Sequence, residues 1–458
     1  MKELIFLDGA MGTMLQTMGL KPGECPELLN ISHPNRVKDV HRSYANAGAD
    51  IVETNTFGGN RIKLGEHGLS DRAYELNYAG VRLAKEATQN MEVLVAASMG
   101  PTGRLLEPFG DLDFDTCYEA FKEQAQAFHD AGADIISIET MSQLGEARCA
   151  LIAAKDATDL PIICHMSFEQ GGRTLMGTDP ITAINVFEAI GASAAGANCS
   201  VGPSDMIGVI RAMAESGEIP LSAEPNAGLP EFVDGTTVYP ESPETMAEHA
   251  EELFLAGASI IGGCCGTRPE HISAIRRRLG KLRGQKPAKE MLQRILGKGS
   301  SGGNPKMRIS GRTLTVDLGE KDTPGIIGFK IDAHLPEVAE RLRNNDMDFI
   351  SAKAREQFSS GARVLMVRLD APGVDEVALM KDAINAIQMA TGAPVAIVSQ
   401  NPAAVEAGVK AFWGRALICT TDGARDTTIE TIARRFGAAI APFSALRGGI
   451  IHGNSEDH

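Results

Sequence analysis

The chain has 458 residues, a net charge of -15, 43% hydrophobic and 22% charged residues, which is the make-up of a soluble globular protein too long for one ordinary domain. That negative charge argues against non-specific nucleic-acid binding, and no apolar run approaches the roughly 18 residues of a membrane span. The opening MKELIFLDGAMG lacks the apolar length and cleavage site of a signal peptide, so the eight cysteines are expected as reduced thiols in the cytoplasm rather than as a disulfide framework.

From the start to about residue 280, strand-like and helix-like segments alternate. The strands are short apolar runs: IFLDGA at 5–10, DIVETNTF at 50–57, VLVAASMG at 93–100, DIISIET at 134–140, PIICHMSF at 161–168, AGANCS at 195–200, PLSAEPNA at 220–227 and SIIGGCCG at 259–266. Helical segments such as Pro34–Gly48 and Asp115–Gly132 separate them, and several stop at small residues: AGAD at 47–50, AGAD at 131–134 and AGAS at 256–259. A glycine there suits the left-handed cap that ends a helix. Eight such units predict a TIM barrel over residues 1–285, with a doubly wound open sheet as the alternative.

Residues 286–305 are basic and include the run Gly299-Ser300-Ser301-Gly302-Gly303-Asn304, a linker pattern. The strand–helix beat resumes over 306–458. It gives a strand near 327–332, a long helical segment at 336–361, then RVLMVRL at 363–369, PVAIVSQ at 394–400, RALICTT at 415–421 and AAIAPF at 438–443, before a polar tail GNSEDH. About five strands are too few for a second complete barrel and predict a smaller parallel α/β domain, either an open sheet or part of a barrel.

In a TIM barrel the chemistry sits at the C-terminal ends of the strands. Asp8-Gly9-Ala10-Met11-Gly12-Thr13 follows strand one, Glu139 ends strand four, Cys199 ends strand six, Asn226 ends strand seven and Cys264-Cys265 ends strand eight. Neighbouring strand residues point to opposite faces, so Cys264 and Cys265 can serve one metal only where the backbone turns, which Gly262, Gly263 and Gly266 permit. Three thiolates suit zinc and leave one position open, the arrangement of a catalytic site. Such a zinc carries a formal charge of about -1 and hosts a further thiolate better than it polarises a carbonyl, which points to alkyl transfer to sulfur. The alternative is three buried core cysteines. Glu139 is an acid on an apolar strand, suited to an α-amino group or to a salt bridge. The DGAMGT turn offers backbone N–H groups to an α-carboxylate, and Asn226 offers a hydrogen bond or an oxygen ligand. His165, alone on an apolar strand, reads as a core residue.

LDGAMGT, ETNTFGGNRIKLGEHGL, MGPTG, GTDP, NCSVGP, EPNAGLP, TVYP and GGCCGTRPEHI, in this order over about residues 3–280, resemble the homocysteine S-methyltransferase domain of the cobalamin-dependent methionine synthase family. The resemblance implies a zinc ion on Cys199, Cys264 and Cys265, and methyl transfer to a homocysteine sulfur bound as the fourth ligand, forming methionine. It also implies that Asp8, Gly9 and Glu139 hold the amino-acid end of homocysteine, with Asn226 beside the metal.

The second domain is similar in order to the pterin-binding barrel that follows in that family, but truncated. GFKIDAHL at 328–335, LMVRLDAPGVD at 365–375 and RALICTT at 415–421 stand at its motifs, with Val367, Leu369 and Cys419 where acids and amides are expected. Folate binding is therefore not expected. Of the corrinoid motif Asp-x-His-x-x-Gly, only Asp332 and His334 occur, out of context. Methylcobalamin is expected only through a separate corrinoid protein, with the second domain as its docking surface. Direct use of a small methylsulfonium or betaine donor, and a non-catalytic subunit role, are the competing readings.

Overall fold

The computed structural model describes residues 3–233, 236–282, 288–296, 307–318, 327–420 and 426–444. The glycine-serine run at 299–304 and the tail at 453–458 lie outside them. The chain divides into two compact units: residues 1–104, 115–176 and 192–301 form one, and 105–114, 177–191 and 302–458 form the other.

Eight parallel strands build the first unit: β1 Ile5–Phe6, β2 Ile51–Glu53, β3 Leu94–Met99, β4 Ile135–Met141, β5 Ile162–Met166, β6 Ala194–Asn198, β7 Leu221–Glu224 and β8 Ala258–Ile261. From β2 to β8 each strand pairs with the next in chain order, and β8 returns to pair with β1. Between β1 and β2 the ring is bridged by Asp50: its N–H donates to Phe6 O at 2.7 Å and its carboxylate accepts the Phe6 N–H at 3.0 Å. This is the TIM barrel, and the unbroken neighbour order excludes a doubly wound sheet. The small-residue stops work as caps: Gly48 and Gly132 adopt φ of 100° and 86°, releasing the chain into β2 and β4.

The barrel interior is layered by side-chain alternation. Ile5, Leu7, Ile51, Leu94, Ala96, Ile135, Ile163, Ala194 and Ile260 form one apolar cluster. Leu292 joins it from a helix, Ala288–Leu296, that lies inside the stretch read as a linker. Further along the same inward-facing rows stand polar residues: Glu53, Ser98, Ser137, Glu139, His165, Asn198 and Glu224. The barrel is thus apolar at its base and polar toward its C-terminal mouth.

In the second unit, five parallel strands, β9 Ile327–Asp332, β10 Val364–Arg368, β11 Val395–Val398, β12 Leu417–Thr420 and β13 Ala439–Pro442, pair strictly in chain order. A doubly wound sheet reverses its order at a switch point; this one does not, and its strand order is the one an arc of a barrel would have. An antiparallel ribbon, Met307–Ser310 with Thr315–Leu318, supplies Ile309, Val316 and Leu318 to the apolar cluster of the arc. Trp413 is buried with its ring edge against Phe109 and its Nε1–H donating to Glu107 O at 2.9 Å.

One expectation needs correction, and the face of Val367 becomes visible. The helical segment at 336–361 is two helices, Pro336–Arg343 and Met347–Ser359, because Asn345 turns left-handed (φ 54°) and Asp346 caps the second by accepting the Phe349 N–H. Val364, Met366 and Cys419 share the clustered face of the arc, so alternation puts Val367 on the opposite face. Met366 and Arg368, rather than Val367, stand on the face of Cys419.

Candidate metal and substrate site

Each cysteine is delivered by a departure from regular strand geometry. β6 ends at Asn198, and Cys199 and Ser200 follow with φ of 58° and 57°, a region non-glycine residues enter only under constraint. Part of the constraint is visible: Cys199 N–H donates to Glu224 O at 3.1 Å, and Val201 N–H to Cys199 O at 2.7 Å. After β8, Gly262 and Gly263 run so close to β1 and to the next turn that a side chain on either would collide with Leu7 or Thr267. Gly263 N–H donates to Asp8 O, and Cys264 N–H to Pro225 O. Gly266, at φ 80°, completes the turn that lets Cys264 and Cys265 face one point.

The three sulfurs lie within 4.8 Å of one another, and Cys199 Sγ is 3.8 Å from Cys265 Sγ. Tetrahedral zinc with Zn–S near 2.3 Å separates its sulfurs by about 3.8 Å, so both the donor set and its spacing fit that ion. These three cysteines are half-buried at the mouth, whereas the other five are buried. Hydrogen bonds from Cys199, then from Cys264, and one from the Tyr239 hydroxyl hold the Cys265 thiol down to about 3. Sharing with Cys199 and then Cys265 pushes Cys264 up. At Cys199 the bond with Cys264 lowers, but the bond with Cys265, burial and the Cys265 charge outweigh it, for a value of about 12.

Next to the triad lies an acidic pit formed by strand ends. Carboxylate oxygens of Glu53, Glu139 and Glu224 lie within 4.8 Å of one another. The Ser98 hydroxyl and Asn198 Nδ2 donate to Glu139, and the Ser222 hydroxyl donates to Glu224 Oε1 at 3.2 Å. His165 Nδ1 stands 3.3 Å from Ile138 O and so carries the proton, while Nε2 is 3.0 Å from Glu224 Oε1. Burial first, then the other two acids, pushes Glu139 well up; burial and then Glu224 push Glu53 up to about 8. Burial is overcome at His165 by Glu224, whose charge raises the imidazole. Asn198 couples triad and pit: one residue before Cys199, it bonds Glu139 and clamps Thr140, whose N–H donates to Asn198 Oδ1 at 2.7 Å and whose φ is 58°.

The sequence-predicted residues fall as follows. Asp8 is buried; its Oδ2 accepts the Glu53 N–H at 3.0 Å, its Oδ1 has no hydrogen-bond partner, and burial, then Glu53, pushes it well up. Gly9 lets the chain pass Thr267, whose Oγ1 would sit 2.5 Å from an added Cβ. Of the turn's backbone donors, the Ala10 N–H is already given to Thr267 Oγ1, and the turn runs straight into the helix Met11–Thr17. Asn226 is buried with an unpartnered Oδ1, and the adjacent Ala227 N–H donates to Cys265 O. The residues the sequence reading missed are Glu53, Glu224, Asn198 and Tyr239, and His165, read as core, is fully buried yet faces Glu224. The signal was available: each of Glu53, His165 and Glu224 stands two places beyond an inward residue of its strand.

The sequence pattern of the homocysteine S-methyltransferase family matches residues 5–279, and the chain belongs to that family. It is 29% identical over 459 residues to the methionine synthase of Mycobacterium tuberculosis (strain ATCC 25618 / H37Rv), covering 94% of this chain and 37% of that protein. The methionine synthase of Mycobacterium leprae (strain TN) is equally similar, 29% over 460 residues. The chain thus spans little more than a third of these relatives. Its fold is similar to the metallated form of the homocysteine methyltransferase MmuM from Escherichia coli, with a TM-score of 0.53, 22% identity, and coverage of 60% of this chain and 96% of that one. Among the described residues, no helix is long and apolar enough to cross a membrane.

Proposed function

We propose that this chain transfers a methyl group to the sulfur of homocysteine, forming methionine, with Cys199, Cys264 and Cys265 holding zinc. The observation that carries the reading is the triad itself, three half-buried sulfurs within 4.8 Å on a family barrel, beside an acidic pit. Zinc held there would supply a place where the substrate's sulfur stays ionised and nucleophilic at neutral pH. The protein's own groups do the rest. Glu139 receives the α-ammonium group, Asp8 and the turn at Gly9 border the amino-acid end, and Asn226 offers its unpartnered amide oxygen next to the cysteines. Asn198 fixes Glu139 relative to Cys199, so that ammonium and sulfur are gripped at a set separation.

The methyl donor in this reading is a methyl-corrinoid carried by a separate protein, which fits the likeness to methionine synthases along 94% of the chain. The second unit serves as the docking surface: it keeps a packed apolar core, and Cys419, within that core, offers a pterin neither acid nor amide. The cytoplasm is the compartment that keeps the three thiols reduced. Metal analysis and a donor comparison test the proposal. The purified chain is expected to hold about one zinc, and to methylate homocysteine from methylcobalamin but not from methyltetrahydrofolate or a methylsulfonium. Full zinc content in a variant lacking all three cysteines refutes the metal assignment.

A further inference from the structure

The pit beside the cysteines holds more acid than one anchor for an amino group. Glu53 ends β2, Glu139 lies on β4 and Glu224 ends β7, so three separate strands deliver carboxylates to one place. Ser98 and Asn198 supply neutral hydrogen bonds to Glu139 and Ser222 one to Glu224, the Ser137 hydroxyl partly offsets the rise of the Glu53 carboxyl, and His165 is the cation-forming side chain beside Glu224. Two oxygens remain unspent: Glu53 Oε1 and Asp8 Oδ1 are buried without a hydrogen-bond partner, and Asp8 itself is only 2% exposed. A buried acceptor with no donor is costly, and a site retains such atoms where a ligand supplies the donor.

We infer that Glu53 and Glu224 join Glu139 in a three-carboxylate cage for the α-ammonium group of the thiol substrate, with His165 as the positioning residue for Glu224. The inference rests on the homocysteine reading above and deepens it. An ammonium group carries three donors and one positive charge, and three acceptors around it satisfy all of them. Acceptors at about 2.8 Å from a tetrahedral nitrogen stand roughly 4.6 Å apart, and the three carboxylates lie within 4.8 Å of one another. The cage is tied to the sulfur site through backbone and side chain: Glu224 O accepts the Cys199 N–H, and Asn198 bonds Glu139. A substrate bound by its sulfur at the triad therefore meets the cage with a group at a fixed distance. His165 is held from the other side by Ile138 O and places Nε2 3.0 Å from Glu224 Oε1, so that its positive charge holds that acid by ion pairing. The cage selects thiols with a free α-amino group.

The test uses the full chain loaded with cobalt(II), whose thiolate charge-transfer absorption reports sulfur binding without turnover. Homocysteine and its des-amino analogue 4-mercaptobutyrate are titrated in parallel. Glu53→Gln and Glu224→Gln are each expected to weaken homocysteine about 10- to 100-fold, the worth of a charge-assisted hydrogen bond, while 4-mercaptobutyrate stays within about twofold and cobalt stays bound. His165→Gln is expected to repeat the selective loss in weaker form. Equal losses for both thiols, or none for homocysteine, overturn the cage. An equal loss for both thiols in His165→Gln alone removes its positioning role. A second metal ion per chain, lost in Glu53→Gln, makes the pit a metal site instead and overturns the ammonium assignment. A wild-type chain whose thiolate band does not change on addition of either thiol overturns the homocysteine reading and the cage with it. That outcome is seen before any variant is made, so the two failures are told apart.

Discussion

Gly266→Ala tests how the triad is built, without touching a sulfur. Gly266 sits at φ 80°, where an alanine costs about 1–2 kcal/mol. An added Cβ would also stand 2.3 Å from Tyr239 Cβ. That neighbour is the base of a side chain rather than its flexible end, so the turn must move by about 1 Å to restore ordinary contact, and overpacking of this kind costs about 1–3 kcal/mol. Tyr239 is the residue whose hydroxyl bonds Cys265, so the displacement falls on one of the three sulfurs. Where the metal-free turn relaxes and the loaded one cannot, the whole strain of about 2–5 kcal/mol appears as lost zinc affinity, roughly 30- to 4000-fold. Competition with a chromophoric chelator reads this directly. Gly208→Ala is the control: it lies inside the helix Pro203–Ser216 with nothing within 4 Å of the new methyl, and alanine favours a helix by about 1 kcal/mol. Unchanged zinc affinity in Gly266→Ala, equal to the control, refutes the claim that this glycine shapes the site.

Other outcomes follow from the same geometry. Cys264→Ser should lose most of its zinc, because a hydroxyl does not ionise to replace a thiolate; retention of a full equivalent speaks against the ligand set. Glu139→Gln should weaken homocysteine more than 4-mercaptobutyrate, and equal losses would take the ammonium away from Glu139. Glu53 binds its proton more tightly in the fold, at about 8 against an ordinary 4.5, so the metal- and ligand-free protein gains stability from it below pH 4.5 and loses that gain as pH rises toward 8. Glu53→Gln should flatten that slope in urea midpoints measured between pH 5 and 8, and an unaltered slope counts against the buried charge. Calorimetry with methyltetrahydrofolate should show no binding, since a buried pterin edge without partners costs about 1–3 kcal/mol per group; micromolar affinity would show that the second unit has kept its ligand residues.

What the amino-acid sequence determined by itself was the barrel, its caps and the three cysteines. Those follow from local rules: eight apolar runs at regular spacing, glycines where helices stop, and a glycine-flanked Cys264-Cys265 that makes no sense within a regular strand. Asp8 and Glu139 were legible too, because an acid at the end of an apolar strand stands out. The break at Asn345 was not, since a helical pattern continues on both sides and one left-handed residue carries no periodic signal. The tertiary structure alone decided the acidic pit. Glu53, His165 and Glu224 are 171 positions apart end to end, and each taken singly reads as a strand-end acid or a core histidine. Closure of the barrel puts β2, β4, β5 and β7 on one interior, and only then do three carboxylates and an imidazole share one space. Alternation also decided which face of the second arc Val367 takes, because a one-residue error in register exchanges the two sides of a strand.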